Sequence, residues 1–255
     1  MKHRSRILCC VLAVLLLAGC SANPYKTGNS TLYILMYHNF APDGSDCNDW
    51  TATAGSFREN IQWLQAHGYQ FVLPRDLAAG TPLPDKAVML TFDDGYLPNY
   101  EIAYPILQET GAKAAIALIT QRFTEGWETY MTWDMCREMA QSGLVEIGSH
   151  GHAIHNNSEV GLQRQEGETK WAYRHRVLSD IQYSIDLIRD HVGVTPEYFA
   201  YPYGATDQWA EGFLRRHFNV TVTTAGTVAD LSDGLYDLPR FNVNSTTALQ
   251  DILPE

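Results

Sequence analysis

Five cysteines are spread over 255 residues, and no two of them form a CxxC pair. That absence removes the thiolate cage of a structural zinc site. Basic charge is also short, with 18 Lys and Arg against 29 Asp and Glu, for a formal charge of −11. Such a surface repels nucleic acid and anionic lipid, and it suits a neutral or cationic substrate. We expect no nucleic-acid partner. Long apolar runs are missing too. The one candidate, Ile7 to Leu17, is too short and wrongly flanked to span a bilayer.

That short run belongs to a different pattern. Lys2, Arg4 and Arg6 form a basic start, Ile7 to Leu17 an apolar centre, and Leu17-Ala18-Gly19-Cys20 a small-residue close. This is the layout of a signal peptide. The close resembles a bacterial lipobox, which implies cleavage before Cys20 and lipid on its thiol. Several acyl chains on one cysteine suffice for stable anchoring. A plain secretory signal or an uncleaved anchor are the alternatives. The expected layout is a lipoprotein signal peptide over residues 1–19, a polar tether over 20–30 and one domain over 31–255. The expected location is outside the cytoplasm, held to the cell envelope through Cys20, with the chain a monomer. Without its signal the chain carries 15 basic and 29 acidic residues, or −14. Only Cys47 and Cys136 then remain in the domain. Export permits a disulfide between them, although nothing in the sequence brings them together.

Strand and helix patterns alternate along the domain, without an internal repeat. Tyr33 to His38 reads as a buried first strand. Ser56-Phe57-Arg58-Glu59 reads as a capping box, with Phe57, Ile61 and Leu64 on one helical face. Further strands are expected near Phe71–Leu73, before Asp93, and over Ala114–Ile119, Leu144–Ile147, Tyr198–Tyr201 and Val220–Thr224. Helices are expected over Tyr100–Glu109, from an N-cap at Thr132, over Leu178–His191 and over Trp209–Arg216. Asn156 to Lys170 reads as a loop, and Asp237 to Phe241 as a last extended piece. Such alternation predicts an α/β fold with a parallel sheet, here a distorted (β/α)7-type barrel.

Chemistry concentrates at two strand ends. Ala87-Val88-Met89-Leu90 delivers Asp93 and Asp94 to a turn at Gly95, and a later strand delivers His150-Gly151-His152-Ala153-Ile154-His155. The C-terminal ends of parallel strands are where α/β folds build their sites. A divalent catalyst needs three fixed ligands and one open position. Asp94, His150 and His155 supply one oxygen and two nitrogens, with His152 able to replace either histidine. Neighbours on a strand face opposite ways, so Asp93 is free to take a proton instead. Mixed imidazole and carboxylate ligation suits zinc, and cobalt, nickel or iron(II) fit the same donors. Trp127, Trp133, Trp171 and Trp209 are candidates for stacking on sugar faces or for ordinary packing.

At these residues the chain resembles the polysaccharide deacetylases of carbohydrate esterase family 4, the NodB-homology enzymes. The likeness runs from about Tyr33 to Val243. Thr91 to Gly95 matches the family's first motif, which implies that Asp93 is the base and Asp94 a ligand. The five-residue spacing of His150 and His155, and Phe199-Ala200-Tyr201-Pro202-Tyr203-Gly204, resemble the branch acting on poly-N-acetylglucosamine. The resemblance implies an oxyanion site at Tyr203, beside Pro202. Two family features are missing. The third motif usually carries an arginine where this chain has Ala200, and Arg240 is the candidate substitute. The late histidine is absent, since no histidine follows His217. The resemblance to that branch, which uses an early histidine, makes His38 the candidate general acid, and in a closed barrel the first strand would lie beside the last.

The expected reaction is metal-dependent hydrolysis of N-acetyl groups from an N-acetylhexosamine polysaccharide. An O-acetyl esterase acting on xylan or peptidoglycan is the enzymatic rival. A surface lipoprotein that binds glycan without catalysis is the rival from another class.

Overall fold

The computed structural model describes residues 23–156 and 161–254. The expected signal peptide and the Cys20 anchor lie outside the described residues. Among those described, no helix is long and apolar enough to cross a membrane.

Among the described residues, seven parallel strands make the barrel circuit, β1 (Thr31–Tyr37), β2 (Ala87–Asp94), β3 (Ala114–Leu118), β4 (Val145–Ser149), β5 (Tyr198–Ala200), β6 (Val220–Val222) and β7 (Phe241–Asn242), and a short parallel piece, Gln70–Phe71, also pairs with β2. The first six are neighbours in chain order. Residues 238–242 close the circuit. Leu238 bridges Val222 of β6, and Phe241 and Asn242 pair with Leu35 and Met36 of β1. The β6 side closes through that single bridge, so the barrel is a distorted one. The first and last strands are therefore neighbours, as the placement of His38 required.

Strand alternation sorts the side chains into two layers. Leu32, Ile34, Met89, Ala115, Ala117, Tyr198, Ala200, Val220 and Val222 fill the barrel interior. Leu35, Val88, Leu90, Phe92, Ile116 and Ile147 face outward onto helices. Among the described residues the helices are α1 (Ala54–Ala66), α2 (Pro74–Ala78), α3 (Tyr104–Thr110), α4 (Thr120–Thr124), α5 (Trp133–Gln141), α6 (Lys170–Val192) and α7 (Gln208–Leu214). The expected face of α1, Phe57, Ile61 and Leu64, is fully buried.

Three local expectations need correction. The N-cap of α1 is Thr53, not Ser56. Ser56 is the third helical residue and exchanges hydrogen bonds with Thr53, so the helix begins a turn early. Helix α6 begins at Lys170, eight residues before the expected start, because Thr169 accepts the Ala172 N–H and caps it. The segment expected to be a tether is docked from Asn23 onward. Tyr25 is 2% exposed, and its hydroxyl donates to the Thr81 carbonyl at 2.9 Å. Asn23 donates to the Leu231 and Ser232 carbonyls. One aromatic ring and two hydrogen bonds from the Asn23 side chain help fasten a stretch whose polar composition suggested a free linker. Cys47 and Cys136 are both free thiols, so no disulfide joins them.

Candidate active site

Asp93 occupies an inward-facing register position of β2, in line with Met89 and Thr91. Its carboxylate accepts two hydrogen bonds from Arg240, Nη1 to Oδ1 and Nη2 to Oδ2, each 2.7 Å. Arg240 lies just before β7 and is fully buried. Two further contacts hold it: Nε donates to the Thr223 carbonyl at 2.9 Å, and Nη1 reaches Thr91 Oγ1 at 3.1 Å. Burial alone would push the Asp93 carboxyl up, but the Arg240 guanidinium and the nearby imidazoles hold it well below the usual range.

Strict alternation would turn Asp94 outward, onto the helices. It does not go there. The Asp94 backbone adopts φ 75°, a left-handed conformation rare outside glycine. Strand pairing continues to this residue, opposite Leu118, and the twist returns its carboxylate to the mouth of the barrel. Gly95 follows at φ 84°, where an added Cβ would meet the Phe123 ring at 2.8 Å. Both carboxylates consequently line one cavity, a correction to the expected opposite facing. Non-glycine residues held at positive φ concentrate at functional sites.

Asp94 meets His150 and His155 there. Its Oδ1 lies 3.6 Å from His150 Nε2 and 3.5 Å from His155 Nε2. Tetrahedral zinc with bonds of 2.0–2.1 Å would set donor atoms about 3.3–3.4 Å apart. The tautomers also fit. His150 Nδ1 donates to the Ala200 carbonyl at 2.8 Å, so its Nε2 carries a lone pair. The Tyr203 hydroxyl donates to the His155 carbonyl at 2.6 Å and lies 3.1 Å from His155 Nδ1, which leaves that ring's Nε2 a lone pair as well. Burial drives the His155 pKa down to about 3, which keeps the ring neutral as a ligand must be. Asp94 Oδ1 is buried and has no hydrogen-bond partner among the described residues. A buried carboxylate oxygen left without a donor, facing two imidazole lone pairs, suits a divalent cation. His152 takes no part in this group. Its Nδ1 lies 3.0 Å from Thr120 Oγ1 and its ring packs on Tyr183.

The histidine turn is held from behind by a residue that the sequence did not point to. Asp180 of α6 accepts the N–H groups of His152, Ala153 and Ile154 at 2.7, 2.6 and 3.0 Å. An aspartate inside a helix carries no local sign of such a duty.

The cavity above these groups has a volume of about 470 Å³. His38, Asn39, Trp50, Tyr96, Tyr203 and Thr224 complete its wall. His38 directly follows β1, and Asn99 grips its backbone carbonyl at 2.8 Å. Its Nδ1 is buried without a hydrogen-bond partner among the described residues. Burial lowers its pKa, against the upward pull of Asp93 and Asp94. Tyr203 reaches the wall through a φ of 60°. Pro202 does not line the cavity; it is buried beneath that turn. None of Trp127, Trp133, Trp171 and Trp209 lines it either. Trp50, absent from that group of candidates, does.

Comparison with known proteins agrees with this architecture. The profile of the family "Polysaccharide deacetylase" matches residues 80–217. A poly-beta-1,6-N-acetyl-D-glucosamine N-deacetylase of Escherichia coli (strain K12) is 28% identical over 254 residues and covers 85% of this chain. The namesake enzyme of Staphylococcus aureus (strain MSSA476) is 25% identical over 173 residues and covers 65% of it. This chain spans 37% of the length of the first relative and 58% of the second. A solved de-N-acetylase from Aggregatibacter actinomycetemcomitans superposes with a TM-score of 0.76 at 26% identity, over 86% of this chain and 97% of that one. A profile match across more than half of the chain, on a barrel of shared shape, makes this protein a member of the polysaccharide deacetylase family.

Proposed function

We propose that the chain removes acetyl groups from the amino sugars of a poly-N-acetylglucosamine-like glycan, with a divalent metal held by Asp94, His150 and His155. One observation carries the reading: two imidazole lone pairs and an unpartnered buried carboxylate oxygen converge beside a second carboxylate that is already neutralised by an arginine. Relatives named for that glycan support the substrate class.

A zinc or similar ion at those residues would acidify a bound water and polarise the acetamide carbonyl. The chain's own groups do the rest. Asp93, kept ionised by Arg240, accepts the proton of the attacking water. Because Arg240 occupies both of its oxygens from the barrel side, the carboxylate keeps a single orientation toward the cavity. The Tyr203 backbone N–H, beside its strained turn, would donate to the developing oxyanion. His38, across the cavity, would protonate the departing amine, and the unpartnered Nδ1 is free to take part in that relay.

The test is acetate release from β-1,6-linked N-acetylglucosamine oligomers, with acetylxylan alongside. Release from the oligomers, lost in Asp93→Asn, is the expected result. Release from acetylxylan alone would mark an O-acetyl esterase, and release from neither would end the enzymatic reading.

We also propose export and lipid anchoring at Cys20. Membrane fractions should hold the wild-type chain with an acylated N-terminal cysteine by mass spectrometry, and Cys20→Ala should abolish that acylation.

A further inference from the structure

Trp50 is a large apolar side chain placed against the expected trend. It is 51% exposed, yet it is held firmly. Its carbonyl accepts the Asn39 N–H at 3.0 Å, and its own N–H donates to Asn48 Oδ1 at 3.0 Å. The preceding carbonyl, of Asp49, accepts from the side chain of Asn242 at 3.0 Å, which ties the loop to the end of β7. The parallel pair Asn39–Ala41 and Thr51–Thr53 fixes the loop on its other side. An exposed indole on a braced backbone loses little freedom on binding a ligand.

Its position is equally specific. Trp50 lines the cavity that also holds Asp93, Asp94 and the two histidines. The indole meets the His38 ring nearly edge to face, with centroids 4.7 Å apart. Asn39 lines the same wall, and its buried Oδ1 has no hydrogen-bond partner among the described residues. Tyr203, 43% exposed, provides an aromatic ring on the side of the cavity formed by His155, 4.5 Å from that imidazole. The wall thus offers a flat apolar surface beside an unsatisfied amide acceptor. Sugar rings present a matching pair of features, an apolar C–H face and a rim of hydroxyl donors.

We infer that Trp50 and Asn39 form a subsite for the sugar unit next to the one being deacetylated. Trp50 carries that ring on its indole face, and Asn39 Oδ1 accepts one of its hydroxyls. This assignment rests on the glycan reading above and goes beyond it. It makes the enzyme prefer chains over a single sugar, and it places the preference in the loop after β1.

The test compares kcat/KM on N-acetylglucosamine and its β-1,6-linked oligomers from dimer to pentamer, in the full chain. Wild type should gain rate with length. Trp50→Ala should flatten that gain, costing the oligomers about tenfold more than the single sugar, and Trp50→Phe should restore most of it. A loss of equal proportion at every length would show that Trp50 acts only by supporting His38, and it would overturn the subsite. A parallel calorimetric titration of the pentamer uses Asp93→Asn as background. Adding Trp50→Ala should weaken Kd about tenfold, and an unchanged Kd would overturn the subsite. If wild type releases no acetate from any oligomer while the titration shows the Trp50-dependent Kd, the deacetylase reading fails and the subsite stands.

Discussion

Arg240 and Asp93 are 147 positions apart in the chain and joined by two parallel hydrogen bonds of 2.7 Å each. Both partners sit at the top of the barrel interior, away from water. A buried pair of this kind is costly to break from one side, because the remaining charge is stranded.

Arg240→Met should therefore destabilise the protein by about 3–5 kcal/mol in urea unfolding. It should also lower kcat by about a hundredfold, since Asp93 loses both its charge partner and its orientation. Adding Asp93→Asn to Arg240→Met should recover a large part of the stability and none of the activity. If the double variant is as unstable as Arg240→Met alone, the pair is not the source of the loss.

Chelation should abolish acetate release. Zinc or cobalt added back should restore it in near-stoichiometric amounts. His155→Ala should weaken metal binding by orders of magnitude in a competition titration against a fluorescent chelator. Full activity after exhaustive chelation would contradict the metal assignment.

Asp180→Asn should weaken metal affinity by about ten- to a hundredfold while leaving the circular dichroism of the barrel intact. The carboxylate receives three backbone N–H groups from the turn that joins His150 to His155. An amide presents only one accepting oxygen to that turn, so His155 should lose its fixed distance from His150. Unaltered affinity in a folded variant would assign Asp180 a purely structural role.

Glu146 makes a pH prediction far from the site. Burial raises its carboxyl to about 7, partly offset by the Arg75 N–H that it accepts at 2.9 Å. The folded state thus holds this proton more tightly than the unfolded chain. Below the ordinary glutamate range both states are protonated and nothing is lost. Between there and pH 7 the unfolded chain ionises first, so stability falls as pH rises. Above pH 7 the cost levels off at about 3 kcal/mol. Glu146→Gln should accordingly be more stable than wild type at pH 8 and close to it at pH 4.5. Chemical denaturation at the two pH values measures the difference.

Much of the fold was legible because its signals are local. The runs before Asp93 and His150 are apolar and short, and stop signals at Gly111 and Gly143 close two helices. Thr132 capped α5 as its hydroxyl position required. Where local reading failed, tertiary contacts had intervened. Thr53 outcompeted Ser56 because the strand ending at Thr53 runs directly into the helix. Residues 23–30 look like a linker by composition, and a buried Tyr25 with the side-chain hydrogen bonds of Asn23 and Asn29 docks them.

The candidate site divides in the same way. Its candidate metal ligands could be named from strand-end positions and the spacing of two histidines. Trp50 could not, since nothing in Asn48-Asp49-Trp50 says whether the indole faces a core or a cavity. Asp180 was hidden for a comparable reason, its partners being backbone N–H groups that any sequence would present.

Residue type and order alone determined the alternating strands and helices, the paired acids at one strand end and the histidines at another, because propensity and period act within a few residues. Only the closed barrel decided that Arg240 would meet Asp93. It also decided that His38 would share a cavity with Asp93. Those pairings depend on β1 meeting β7, and the sharing of one cavity by both acids depends on a left-handed Asp94 turning its carboxylate back to the same side. Long-range closure and one backbone twist are properties of the packed chain, where the burial of a whole core outweighs what any short segment prefers.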